Sequence, residues 1–136
     1  MPITPQFLIA DDNLANRTLL DHLLRQYGSC TFATNGLEAV KRYQHSWEEE
    51  QPFSVIFMDV MMPEMNGTDA LRMIREFEAT QGIPMVNVIM VSALRDGDNI
   101  QQSRSAGAQH YLIKPFREKE IFSLLSSFGL HPLENG

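Results

Sequence analysis

Five side chains fit for phosphate chemistry stand where short apolar runs stop. QFLIA (6–10) stops at Asp11-Asp12, FSVIFM (53–58) at Asp59, MVNVIMV (85–91) at Ser92, and QHYLI (109–113) at Lys114. Carboxylates gathered in one place repel, which raises at least one pKa unless a cation intervenes. Oxygen ligands suit a hard divalent ion. A few of them leave places for water or substrate oxygens, the usual setting of Mg²⁺, with Mn²⁺ as the alternative. Mg²⁺ and Lys114 would neutralise a bound phosphoryl group, and Ser92 would donate a hydrogen bond to it. Asp59 would then be the nucleophile, accepting the group as an acyl phosphate. The competing reading makes these acids helix caps. It suits Asp11 or Asp12 singly. It suits Asp59 poorly, because the next helical pattern opens only after Asn66.

For this chemistry the ends of separate strands must meet on one rim. The apolar pattern predicts strands over 6–10, 30–34, 53–58, 85–91 and 109–113. Helical spacing joins them. The first helix, 14–27, carries Leu20, Leu23, Leu24 and Tyr27, and Gly28 ends it. The second follows Asn35, with Glu38 three residues on as in a capping box, and carries Leu37, Val40, Tyr43 and Trp47. The third, 67–80, turns Ala70, Leu71, Ile74 and Phe77 inward. A fourth, 97–106, offers only Ile100 and Ala106. The fifth, about 117–128, carries Ile121, Leu124, Leu125 and Phe128. Strict alternation of strand and helix predicts an α/β fold, a parallel sheet covered on both faces. Ligands in such sheets bind beyond the carboxyl ends of the strands. The five side chains above lie there.

Composition narrows the function classes. The 136 residues are 43% hydrophobic and 21% charged, as in a globular domain, and the length suits a single one. A net charge of −6 argues against direct nucleic-acid binding. One cysteine, Cys30, allows no internal disulfide and favours a reducing compartment. No apolar run approaches the roughly 20 residues of a membrane helix. The first residues lack the basic start of a signal peptide. The expectation is a cytoplasmic protein without membrane insertion.

The acid pair Asp11-Asp12, the stretch MDVMMPEMNG (58–67), VSA (91–93) and YLIKPF (111–116) occur in order along the chain. Together they resemble the receiver domains of two-component response regulators, over roughly residues 6–129. The resemblance implies a doubly wound, flavodoxin-like (βα)5 fold with strand order 2-1-3-4-5. It implies one receiver domain over 1–136 with a short tail, 130–136. Asp59 matches the phospho-acceptor, Asp12 a direct Mg²⁺ ligand, and Asp11 its neighbour. The backbone carbonyl of Met61 matches a third protein ligand. Ser92 matches the switch hydroxyl, Lys114 the family's lysine and Tyr111 the switch aromatic. Pro115 matches a proline usually preceded by a cis peptide. Asn16, Leu19, Pro115 and Phe116 fall where the family receives its phosphodonor, a histidine kinase or histidine phosphotransfer protein. A downstream protein would read the face of the fourth helix, fifth strand and fifth helix. The resemblance covers a single-domain regulator or a receiver cut from a hybrid kinase or larger regulator. Such a domain catalyses its own phosphorylation and dephosphorylation, with no turnover of an external substrate.

Other readings compete. A pseudo-receiver would act as a phosphorylation-independent binding module, but the complete acid, hydroxyl and lysine set argues against it. A flavodoxin-like cofactor carrier would need a hydroxyl- or glycine-rich phosphate loop where this chain has DDNLAN. Met58, Met61, Met62 and Met65 cluster without Cys or His, which favours packing over soft-metal binding. His22, His45, His110 and His131 show no ligand spacing.

Overall fold

The structure is a computed structural model that describes residues 4–94 and 96–133. The last three residues of the expected tail, 134–136, lie outside the described residues.

Ten elements alternate: β1 (Gln6–Ala10), α1 (Leu14–Leu24), β2 (Ser29–Ala33), α2 (Gly36–Glu48), β3 (Val55–Asp59), α3 (Gly67–Gln81), β4 (Asn87–Ser92), α4 (Gly97–Ala106), β5 (His110–Ile113) and α5 (Glu118–Ser127). The sheet runs β2-β1-β3-β4-β5 with every pairing parallel. This is the expected flavodoxin-like order.

Successive strand side chains point to opposite faces, so the central strands divide between two cores. Leu8, Ala10, Ile56, Met58, Val88 and Met90 face one way, onto Val40, Tyr43, Leu71 and Ile74 of α2 and α3. Phe7, Ile9, Val55, Phe57, Ile89 and Val91 face the other, onto Leu20 and Leu24 of α1 and Ile121 and Leu125 of α5. Both faces are covered, which is why these strands read as unbroken apolar runs.

Some boundaries move. Helix α1 stops at Leu24, three residues short of the expected end, and Tyr27 and Gly28 fold back onto the Leu24 carbonyl. Strand β3 begins at Val55 and takes in Asp59 itself, so the acid is the strand's last residue. Strand β4 begins at Asn87, leaving Met85 exposed. On α2, Leu37 is exposed and the buried stripe is Ala39, Val40, Tyr43 and Ser46. No helix of the described residues is long and apolar enough to cross a membrane.

Candidate active site

Beyond Ala10 the chain leaves the sheet, and Asp11 keeps one ladder bond, from its N–H to the Ala33 carbonyl at 3.0 Å. Asp11 is 3% exposed. One carboxylate oxygen, Oδ1, accepts from the Asn13 N–H at 2.9 Å. Asn13 in turn caps α1, accepting from the Asn16 N–H at 3.0 Å. Asp12, the next residue, is exposed.

Asp59 arrives from the centre of the sheet. Burial of every β3 residue holds its backbone rigidly, and only the end of the side chain meets the rim. Its Oδ1 accepts from the Met61 N–H at 3.3 Å. The loop beyond must clear the site before α3 begins. Asn66 caps that helix by accepting from the Asp69 N–H at 2.8 Å. Gly67 packs so tightly that a Cβ there would stand 2.0 Å from the Asp59 carbonyl oxygen. Only glycine permits this approach.

Lys114 completes the cluster from β5. Its Nζ lies 2.9 Å from Asp11 Oδ2 and 3.4 Å from Asp59 Oδ2. The Lys114 N–H donates to the Ser92 carbonyl at 2.8 Å, tying the last residue of β4 to the start of the lysine segment. The Lys114–Pro115 peptide is cis. Ser92 is buried at the strand end, one residue past Val91, which pairs with Asp59. Its Oγ accepts from the Leu94 N–H at 3.2 Å. The Tyr111 hydroxyl donates to the Leu94 carbonyl at 2.9 Å, so both side chains hold the same β4–α4 loop.

One ligand oxygen each from Asp11, Asp12 and Asp59 fall within 4.8 Å of one another. Burial pushes the Asp59 carboxyl above its ordinary value. The Lys114 charge pulls it down, Asp11 pushes it up, and burial prevails. For Lys114, burial favours loss of the proton, but the bond to Asp11 and the charges of Asp59 and Asp11 outweigh it and raise the value. Lys114 touches two of the three acids and leaves the exposed Asp12 without a cation from it. The cluster's all-oxygen donor set and close spacing fit a hard divalent cation such as Mg²⁺.

At the edge of the cluster, Asn16, Leu19, Ala93, Lys114, Pro115 and Phe116 line a cavity of about 370 Å³. The four residues expected as a partner patch are therefore neighbours in space. Leu14, Leu19 and Met61 are exposed on the same rim of strand ends. Sequence reasoning missed Asn13 and Arg17. Asn13 had a legible signal, as a capping residue ahead of a helical pattern. Arg17 had none: it donates to the Asp11 carbonyl at 2.7 Å, and nothing in its spacing foretells a bond six residues back.

Comparison with known proteins agrees with the geometry. The family pattern of the response regulator receiver domain matches residues 7–126. The chemotaxis protein CheY of Thermotoga maritima is 32% identical over 121 residues, which are 88% of this chain and 92% of that protein. The sensory/regulatory protein RpfC of Xanthomonas campestris pv. campestris is 30% identical over 125 residues, 92% of this chain. The chain spans only 16% of the length of that relative. In the solved structures, the receiver domain of the sensor histidine kinase PA1611 from Pseudomonas aeruginosa superposes with a TM-score of 0.77 at 28% identity, covering 93% of this chain and 98% of that one. A magnesium ion is coordinated in the active site cleft of that structure.

Proposed function

The chain belongs to the response regulator receiver domain family, and we propose that it accepts a phosphoryl group on Asp59 and relays the event through a protein-binding face. The observation that carries this reading is the shared ammonium. Lys114 touches both Asp11 and Asp59, beside a third carboxylate close enough to complete a cation site.

Asp59 is the nucleophile. A carboxylate oxygen forms a bond to phosphorus while the bond from phosphorus to the donor breaks, and the donor leaves with that electron pair. The product is an acyl phosphate on Asp59. Burial keeps the attacking oxygen poorly hydrated and fixed by β3, which lowers the cost of bringing it into line. Lys114 moves its charge onto the incoming phosphoryl oxygens. The Ser92 hydroxyl donates a hydrogen bond to one of them. Asp11, Asp12, Asp59 and the Met61 carbonyl would hold Mg²⁺, with Mn²⁺ a substitute. The ion supplies charge neutralisation for the transferring group. The magnesium in the Pseudomonas receiver supports this assignment.

The donor is a histidine kinase or histidine phosphotransfer protein that docks over the cavity between Asn16, Leu19, Pro115 and Phe116. Tyr111 and Ser92 both hold Leu94 of the same loop, so a phosphoryl group that draws Ser92 inward alters the loop that Tyr111 holds. The output is a change in the face of α4, β5 and α5, read by a downstream protein in the cytoplasm.

Acetyl phosphate with Mg²⁺, followed by intact-mass measurement, tests the reading. The wild type should gain one phosphoryl group and Asp59→Asn none. No gain in the wild type, or equal gain in both proteins, would refute it.

A further inference from the structure

The geometry points to Arg17 as a positioning residue that presets Asp12, an inference that rests on the cation site proposed above. Asp12 is exposed, and its side chain takes no hydrogen bond from another of the described residues. Its direction therefore depends on the backbone. Each of the two peptide groups that flank it is held. The Asp12–Asn13 peptide donates its N–H to Asp11 Oδ1 at 2.9 Å. The Asp11–Asp12 peptide presents its carbonyl to the Arg17 guanidinium at 2.7 Å. That carbonyl lies beyond the end of β1, where the ladder no longer supplies a donor, so without Arg17 it would turn to water.

The arrangement closes on itself. Asp11 is fixed by the Ala33 carbonyl below it and by Lys114 across the rim. Arg17 is fixed in α1, where its own N–H donates to the Asn13 carbonyl at 3.1 Å. The guanidinium thus ties the helix to the peptide immediately before Asp12. With both peptide planes held, the Cα–Cβ bond of Asp12 is aimed before any cation arrives. A ligand aimed in advance loses less freedom on binding.

Charge and geometry predict opposite outcomes for Arg17→Met. Arg17 brings a positive charge to the Asp11–Asp12 peptide, so loss of its charge alone would tighten Mg²⁺ binding. Loss of the hydrogen bond frees one peptide plane and weakens it. Supporting partners of metal ligands typically contribute ten- to a hundredfold in affinity, so a weakening of roughly tenfold is expected from calorimetry with Mg²⁺ alone. Arg17→Lys keeps the charge and a shorter donor and should fall between the two. In the metal-free proteins, NMR relaxation should show greater backbone mobility at Asp12 and Asn13 in Arg17→Met, with the rest of the sheet unchanged. Equal or tighter Mg²⁺ binding in Arg17→Met, or unchanged mobility at Asp12, overturns the role of Arg17. A wild type that binds no Mg²⁺ instead removes the cation site on which the inference rests.

Discussion

The Asp59 carboxylate is held in a place that suits the proposed phosphoryl transfer and not its own stability. Burial penalises the charged form more than Lys114 repays, so the folded protein holds this proton more tightly than the unfolded chain does. Where the folded value is raised, stability falls as pH climbs from the unfolded value, about 3.9 for an aspartate, through the folded one. Asp59→Asn removes that penalty while Lys114 keeps its 2.9 Å partner Asp11. In chelator-treated buffer the variant should therefore melt at a higher temperature than wild type at pH 7, and the gap should close below about pH 4. A lower melting temperature for Asp59→Asn at pH 7 would contradict this balance. The same rule governs Lys114 at a higher pH. Its raised value lends stability below the unfolded lysine value of about 10.4, and that is lost only as pH rises past it.

Among the elements, α3 carries a feature that its apolar pattern conceals. Glu78 is 2% exposed, on the helical face expected to hold only apolar groups. It accepts from the Tyr43 hydroxyl and the Val86 N–H, each at 2.7 Å, and from Arg75 at 2.8 Å. Arg75 also donates to the Gly107 carbonyl and to Gln109, whose side chain pairs with the Val88 N–H and the Val86 carbonyl. One acid thus joins α2, α3, the start of β4 and the turn before β5, at the end of the sheet away from Asp59. A buried group left unpaired costs more than its bond contributed. Glu78→Ala strands a hydroxyl, an amide and part of a guanidinium, and should destabilise the protein by roughly 3 kcal/mol in urea unfolding. A loss below about 1 kcal/mol would mean that water or rearrangement satisfies those groups. Periodicity reports which face turns inward, but not that a charged residue on it has found one partner on its own helix and two from other segments. For the same reason Leu37 read as core and is exposed, while Ser46 read as nothing and is buried. Which residues pack beneath a helix depends on how close it lies to the sheet, and that distance is set by the other elements.

Across the whole molecule, two cores share one sheet, and the candidate site draws on β1, β3, β4 and β5 at once. The convergence of Asp11, Asp12, Asp59 and Lys114 was legible because strand–helix alternation favours a parallel sheet, and a parallel sheet brings strand ends to one rim, whereas the strand order came from the family resemblance. The bonds that orient those groups were not legible, because Arg17 reaches Asp11 through the turn geometry and not through any repeat. Neither core can loosen without exposing the strands beneath it, so the domain should unfold in a single cooperative step. A ligand bound only by the folded state then stabilises the whole molecule. Mg²⁺ at a hundred times its dissociation constant should contribute about 2.7 kcal/mol. For a domain of this size that corresponds to a rise on the order of 10 °C in melting temperature. The acids repel in the metal-free protein, so the gain should be largest at low ionic strength. Asp12→Ala removes the exposed carboxylate while leaving the Lys114 bridges to Asp11 and Asp59 in place. Its melting temperature should barely respond to the same Mg²⁺ concentration in scanning calorimetry. An equal rise in wild type and Asp12→Ala would place the cation away from this cluster and leave the three carboxylates without the partner their spacing suits.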